Sequence, residues 1–235
     1  MTEAGRDSTA HDQRRERMLQ AAVEVICERG FSDTRISDVA KLTKTSPALV
    51  IYYFGTKDGL LTEAMRYSED LFYTAADELL ATLDTAQEKL ETLVRVTCVQ
   101  MLAGEIPGAW GLWFDLWVQA FRHPEVAKDR AEFDRRWSAT IAGVVLGGQA
   151  SGELAEVDVD EFVIAFAALL DGLSIQVALR DEIVTSERAF GVAMRFAARY
   201  LGFEWAPTSA VATLDVRTVK AVTASKRITK KPVRS

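Results

Sequence analysis

The sequence predicts an all-α protein of about nine helices, and three features carry the prediction. Apolar residues recur at spacings of three and four through most of the chain. Period-two alternation is confined to the last stretch, and Gly, Pro or a Ser/Thr/Asp cap punctuates the apolar runs. At 235 residues and 49% hydrophobic content, the chain has enough apolar surface for a substantial core.

The first helix is expected over 13–29, with Leu19, Ala22, Val23 and Ile26 on one face. Gly30 follows where a helix end favours a left-handed residue, and Phe31 folds back onto that face. A short second helix starts after Thr34, a good N-cap, and carries Ile36, Val39, Ala40 and Leu42. A third begins at Ser46 and runs to Tyr52, with Pro47 in the first turn, where its missing N–H costs nothing. Longer helices are expected at 57–83, 86–103, 108–121, 124–151, 158–181 and 185–202. From Ala206 the chain is rich in Thr, Ser, Val, Lys and Arg and reads as a flexible tail. The expected organisation is a three-helix domain over 1–56, a helical ligand-binding and dimerisation domain over 57–205, and a basic tail over 206–235.

The overall charge of -6 conceals a division along the chain. Residues 1–60 are neutral, 61–205 carry a net -12 and the tail a net +6, so separate regions do separate jobs. The most apolar stretch, 162–179, is interrupted by Asp171, Ser174 and Gln176 and reads as a core helix, not a membrane span. The N-terminus has no apolar run behind a basic patch, so no secretory signal is expected. Two isolated cysteines, Cys27 and Cys98, suggest reduced thiols in the cytoplasm. His11 and His123 alone leave little material for a metal site or histidine catalysis, so no cofactor and no enzyme is expected.

Two short helices joined by a tight turn, packed on a longer first helix, form a helix-turn-helix whose second member can enter the DNA major groove. Its candidate DNA-contacting residues are Arg14, Thr34, Thr43, Lys44, Thr45, Ser46, Ala48, Leu49, Tyr52, Tyr53, Thr56 and Lys57. Hydroxyls and cations flank the candidate recognition helix on both sides, which suits a clamp on phosphates. Arg14, Arg15 and Arg17 either reach DNA or form a solvated charge run. The tail either adds nonspecific DNA affinity or solubilises the chain.

The stretch RRERMLQAAVEVICERGFSDTRISDVAKLTKTSPALVIYYFGTKDGLL resembles the DNA-binding domain of the TetR family of bacterial repressors, collinearly over about fifty residues. The remainder, with its Trp-rich helix, RHPEV and LLDGLSIQVAL, resembles the BetI-like branch of that family's ligand domains. The resemblance implies backbone contacts from Tyr53 and Lys57, a packing role for Phe54 and a dimer interface from the last two helices. Two departures stand out: Lys44 replaces the usual turn glycine, and Val50-Ile51 replaces a Leu-Tyr pair. Lys44 must then tolerate the turn geometry or the turn differs. Tyr52 and Tyr53 replace the hydroxyl missing at Ile51.

In AWGLWFDLWVQAF, Trp110, Trp113, Trp117 and Phe121 lie on or near one helical face, Phe114 extends it and Asp115 lies beside it. The stripe is either a bulky core or the wall of a cavity for a cation such as a quaternary amine or polyamine. Asp171, mid-helix among apolar residues, needs a partner: a cationic ligand, or a salt bridge to Arg135 or Arg136. Those arginines would alternatively hold an anionic effector such as a nucleotide. The candidate ligand residues are Met101, Trp110, Trp113, Phe114, Trp117, Arg136, Trp137, Asp171 and Ile175. Small residues suited to close helix packing, Ala165, Ala168 and Gly172 with Ala189, Ala193 and Ala197, are the candidate dimer contacts.

The expected function is a homodimeric transcriptional regulator, a repressor of a palindromic double-stranded operator whose affinity a small-molecule effector changes. A DNA-organising protein without an effector is the alternative. A helical enzyme is weaker, because no Ser/His/Asp or metal-spaced set appears.

Overall fold

The computed structural model describes residues 3–100 and 109–206, and their regular structure is entirely helical. Nine α-helices follow in order: α1 (Glu3–Arg29), α2 (Ile36–Leu42), α3 (Pro47–Phe54), α4 (Lys57–Leu80), α5 (Ala86–Arg95), α6 (Ala109–Arg122), α7 (Pro124–Ser151), α8 (Val159–Ala178) and α9 (Ser186–Leu201). A π-helical turn, Val96–Gln100, continues α5. Met101 and residues 207–235 of the basic tail lie outside the described residues, as does the side chain of Trp110.

Local chemistry accounts for most helix starts. Ser46 Oγ accepts the Leu49 N–H at 3.2 Å and Pro47 occupies the first position of α3. Thr56 Oγ1 caps α4 through the Gly59 N–H at 3.0 Å. Each such cap satisfies a backbone donor that the first helical turn leaves without a partner. The second helix departs from expectation. Thr34 is buried, its hydroxyl donates to the Gly30 carbonyl at 2.7 Å, and α2 starts only after Arg35. The Asp38 carboxylate takes the Arg35 N–H at 3.1 Å instead. Lys44 does adopt the left-handed turn conformation, at φ 56°. α3 continues two residues beyond Tyr52 and ends at Gly55, φ 73°.

Two apolar cores organise the helices. The first joins Met18, Ala22 and Ile26 of α1 to Val39, Val50, Leu60, Leu61 and Ala64, and it also takes in Leu112 and Leu116 of α6 and Phe133 of α7. The first turns of α4 and one face of α6 thus belong to the helix-turn-helix core, which does not stop at residue 56. The second core gathers α5, α7, α8 and α9 around Leu90, Ile141, Phe162, Phe166, Leu170 and Met194. Phe162 stacks on Phe166 with centroids 5.1 Å apart, and Phe196 stacks on Phe166 at 6.1 Å.

Of the candidate dimer contacts, Ala189, Ala193 and Ala197 are corrected by the packing. All three have 0% exposure and belong to the second core of the single chain. Their small size lets α9 approach its neighbours within the protomer. On α8, Ala165 and Gly172 are half-buried and Ala168 is exposed. α8 is long and apolar enough to cross a bilayer, with a mean hydropathy of 1.7. One of its faces is nevertheless built into the core, while Ile164 on the other is 73% exposed.

Candidate nucleic-acid interface and effector domain

The eight residues of α3 divide cleanly by environment. Val50 is buried, and Leu49, Tyr53 and Phe54 are half-buried against the first core. Pro47, Ala48, Ile51 and Tyr52 face outward, with Tyr52 76% exposed. Lys44, Ser46 and Thr56 are exposed at the two ends of the helix. The candidates Lys44, Ser46, Ala48, Tyr52 and Thr56 therefore come together on one open surface. Pro47 and Ile51 were not among the DNA-contacting candidates, although they precede Ala48 and Tyr52 by one residue each on the same outward side of the helix.

Other candidates are engaged in building that surface. The Thr43 hydroxyl bonds the Val39 carbonyl at 2.9 Å and lies 2.9 Å from the Thr45 hydroxyl, so the pair stiffens the turn. Tyr53 packs on His11 of α1, with centroids 4.6 Å apart. Lys57 Nζ donates to the Ser32 carbonyl at 2.9 Å and sits over the Phe31 ring at 5.4 Å. Thr34 is removed from the DNA-contacting set, because its buried hydroxyl is committed to Gly30. At the start of the domain Arg14 is exposed, Arg15 pairs with Glu63 and lies over Phe54, and Arg17 donates to the Gln13 carbonyl.

The helix-turn-helix is joined to α6 by a contact not anticipated from sequence. The Phe31 N–H, just past the left-handed Gly30, donates to the Asp115 carboxylate at 2.7 Å. Lys57 holds the same loop from α4 through Ser32. The loop after α1 is thus held by both α4 and α6. A cleft of about 530 Å³ lies along this junction, with Arg15, Tyr53, Phe54, Glu63, His123 and Asp129 among its walls.

On α6 itself, the aromatic stripe is only partly a wall. Trp113 packs edge-on against Phe133 at 6.2 Å and lies 6.1 Å from Trp117, which meets Phe114 at 5.9 Å. Trp113 thereby joins the first core. Phe121 is 92% exposed at the end of α6, so it is not part of an enclosed wall. Trp137 packs on Phe72 of α4 at 6.5 Å. Both arginines proposed for Asp171 are engaged elsewhere: Arg136 pairs with Asp70 at 2.6 Å and lies over the Tyr73 ring at 4.2 Å, and Arg135 Nε donates to the Ala131 carbonyl.

Asp171 is half-buried one turn before Ile175 and makes no hydrogen bond or ion pair among the described residues. Burial pushes its carboxyl up, against the pull of Arg130. A second carboxylate is more deeply placed. Glu69 occupies the inward stripe of α4, with Leu61, Met65 and Tyr73, and is 6% exposed with Oε2 unpartnered. Burial pushes it up to about 7, with Arg136 opposing and Asp70 adding to the shift. Tyr73, one turn on, is also pushed up by burial. On α5, Arg95 lies over the Phe190 ring at 4.7 Å, and its Nη1 has no partner. Cys98 and Cys27 are both pushed up to about 11 by burial, which keeps them protonated thiols.

Comparison with known proteins agrees with this architecture. Residues 18–64 match the tetR family of bacterial regulatory proteins, and residues 86–202 match the C-terminal domain of BetI-type transcriptional repressors. The HTH-type transcriptional regulator BetI of Burkholderia mallei is 26% identical over 183 residues, 77% of this chain and 89% of its own length. BetI of Stenotrophomonas maltophilia is 30% identical over 124 residues, 52% of this chain and 62% of that relative. Among solved structures, a transcriptional regulator from Saccharomonospora viridis in complex with choline superposes with a TM-score of 0.70 at 28% identity, covering 81% of this chain and 98% of that one. A TetR-family regulator from Rhodococcus sp. gives 0.64 at 25% identity, covering 81% and 99%.

Proposed function

The chain belongs to the TetR family of bacterial regulatory proteins, with a BetI-type C-terminal domain, and on that premise we propose that it is a homodimeric repressor whose effector is a small organic cation. It is a transcriptional regulator and not an enzyme. The observation that carries the cation reading is Glu69. A carboxylate this buried with a free oxygen is costly unless it is protonated or neutralised by a positive partner. Asp171 adds a second carboxylate without an ion-pair partner among the described residues, and Trp137 and Trp113 are half-buried aromatics of the kind that attract a quaternary ammonium group. The structurally similar Saccharomonospora viridis regulator was solved with choline, which supports the same class of ligand here.

One observation favours a second reading. Arg95 is buried with an unpartnered Nη1, which would suit an anionic group on the effector. A thermal-shift and calorimetry panel on the full chain separates the two. Choline and tetramethylammonium are expected to raise the melting temperature and a nucleotide to leave it unchanged. Stabilisation by the nucleotide alone reverses the assignment.

Relief of repression by the effector would follow from linkage. Recognition helices of a dimer must meet half-sites roughly 34 to 36 Å apart. An effector that binds better to a conformation with another spacing weakens DNA binding by the same coupling. For the dimer face, exposed Ile164 and Ala168 on α8 and the groove between Val192, Phe196 and Tyr200 on α9 are the proposed surfaces for a second copy.

A further inference from the structure

We propose that α3 reads its operator chiefly through thymine methyl groups, with Ala48 and Ile51 as the specificity-determining residues. The inference rests on the DNA-binding reading above and goes beyond it by naming what is read. Between Pro47 and Phe54 the helix carries no amide, guanidinium, ammonium or carboxylate side chain, and its only polar side-chain groups are the hydroxyls of Tyr52 and Tyr53. The bidentate contacts that usually identify guanine and adenine come from Arg, Lys, Asn or Gln. None of these is available on the helix itself.

The neighbouring polar groups are engaged or sit at the edge. Ser46 Oγ caps the Leu49 N–H, the Thr43 and Thr45 hydroxyls face each other, and Tyr53 packs on His11. Lys44 remains exposed in the turn, and Tyr52 lies at the far end of the outward face. Both are placed to touch the DNA backbone from opposite ends. What the N-terminal part of α3 offers to base edges is Pro47, Ala48 and Ile51, all three exposed, with Ile51 at 47%. The C5-methyl of thymine is the apolar feature of the major groove, and apolar side chains recognise it.

The test starts from a half-site selected with the full chain from a random DNA pool. Each thymine in it is then replaced by deoxyuridine, which deletes one methyl and leaves every hydrogen-bonding group in place. Binding to wild type is expected to weaken about threefold to fourfold at each methyl contacted, as for burial of one CH₂-sized group. At one of these positions Ile51→Ala should abolish the difference between thymine and uracil, while its circular dichroism and melting temperature stay near wild type. If uracil is tolerated at every position, or if Ile51→Ala keeps the full thymine preference throughout, the inference is overturned and DNA binding itself stands. If no motif is enriched from the pool, the DNA-binding reading fails and takes this inference with it.

Discussion

The Phe31 N–H and the Asp115 carboxylate, 84 positions apart in the chain, meet at 2.7 Å and tie the loop after α1 to the middle of α6. Asp115 lies on the side of α6 away from the Trp113–Trp117 pair, so under the proposed linkage a shift of α6 on effector binding would reach the helix-turn-helix through this one hydrogen bond. Asp115→Ala should lower stability by about 1.5–3 kcal/mol, the range for a hydrogen bond to a charged acceptor. Cation affinity should stay within about twofold of wild type while the operator response shrinks several-fold, as expected when coupling and not binding is lost. Parallel choline and operator titrations check this, and an undiminished operator response would remove Asp115 from the coupling route.

Glu69 makes stability depend on pH in a predictable direction. Its folded carboxyl holds its proton up to about 7, against an ordinary value of 4.5. Between those values the folded state binds the extra proton, so raising the pH removes stability. The contribution lost by pH 8 is roughly 3 kcal/mol. Glu69→Gln should therefore be more stable than wild type at pH 8 and nearly equal at pH 4, measured by urea denaturation at one protein concentration. The same variant should lose most of its affinity for choline.

Lys44 carries a backbone cost, a side-chain charge and an exposed position together. Lys44→Gly should stabilise the fold by about 1 kcal/mol by relieving the left-handed backbone at φ 56°. If Lys44 contacts a phosphate, the logarithmic salt dependence of operator binding should also fall by about one unit per half-site. Melting curves read the first effect and salt titrations the second, so each can fail without the other.

For the assembly, Ile164→Glu places a charge on the exposed apolar face of α8 without touching the chain's own core. Sedimentation should shift from dimer to monomer at micromolar concentration, with helicity unchanged. A dimer that persists would move the interface away from α8.

Local signals were legible in the sequence because local atoms satisfy them. Ser46 and Pro47 start α3 through contacts within three residues, so that start follows from the neighbouring letters, whereas Thr56, read as a DNA contact, also caps α4. Lys44 in a glycine's position came from the family resemblance, which left open whether the lysine tolerates the turn or the turn differs, and φ 56° shows that the lysine tolerates it. Thr34 failed because a hydroxyl beside a helix start has two candidate partners, and the Gly30 carbonyl won. Asp115 and Glu69 were not recognised because their environments depend on α1, α4, α6 and α7 meeting, which no spacing rule encodes. The alanines of α9 misled for a related reason. Small residues permit close packing against any helix, and here the neighbour belongs to the same chain.

Operator affinity of the full chain, measured by fluorescence anisotropy with and without saturating choline, decides whether an organic cation controls DNA binding. Choline should weaken binding by about 5-fold to 150-fold, the usual span of allosteric coupling. Glu69→Gln should retain operator binding but no longer respond. Operator affinity unchanged by choline, tetramethylammonium and spermidine alike would contradict control by a cation.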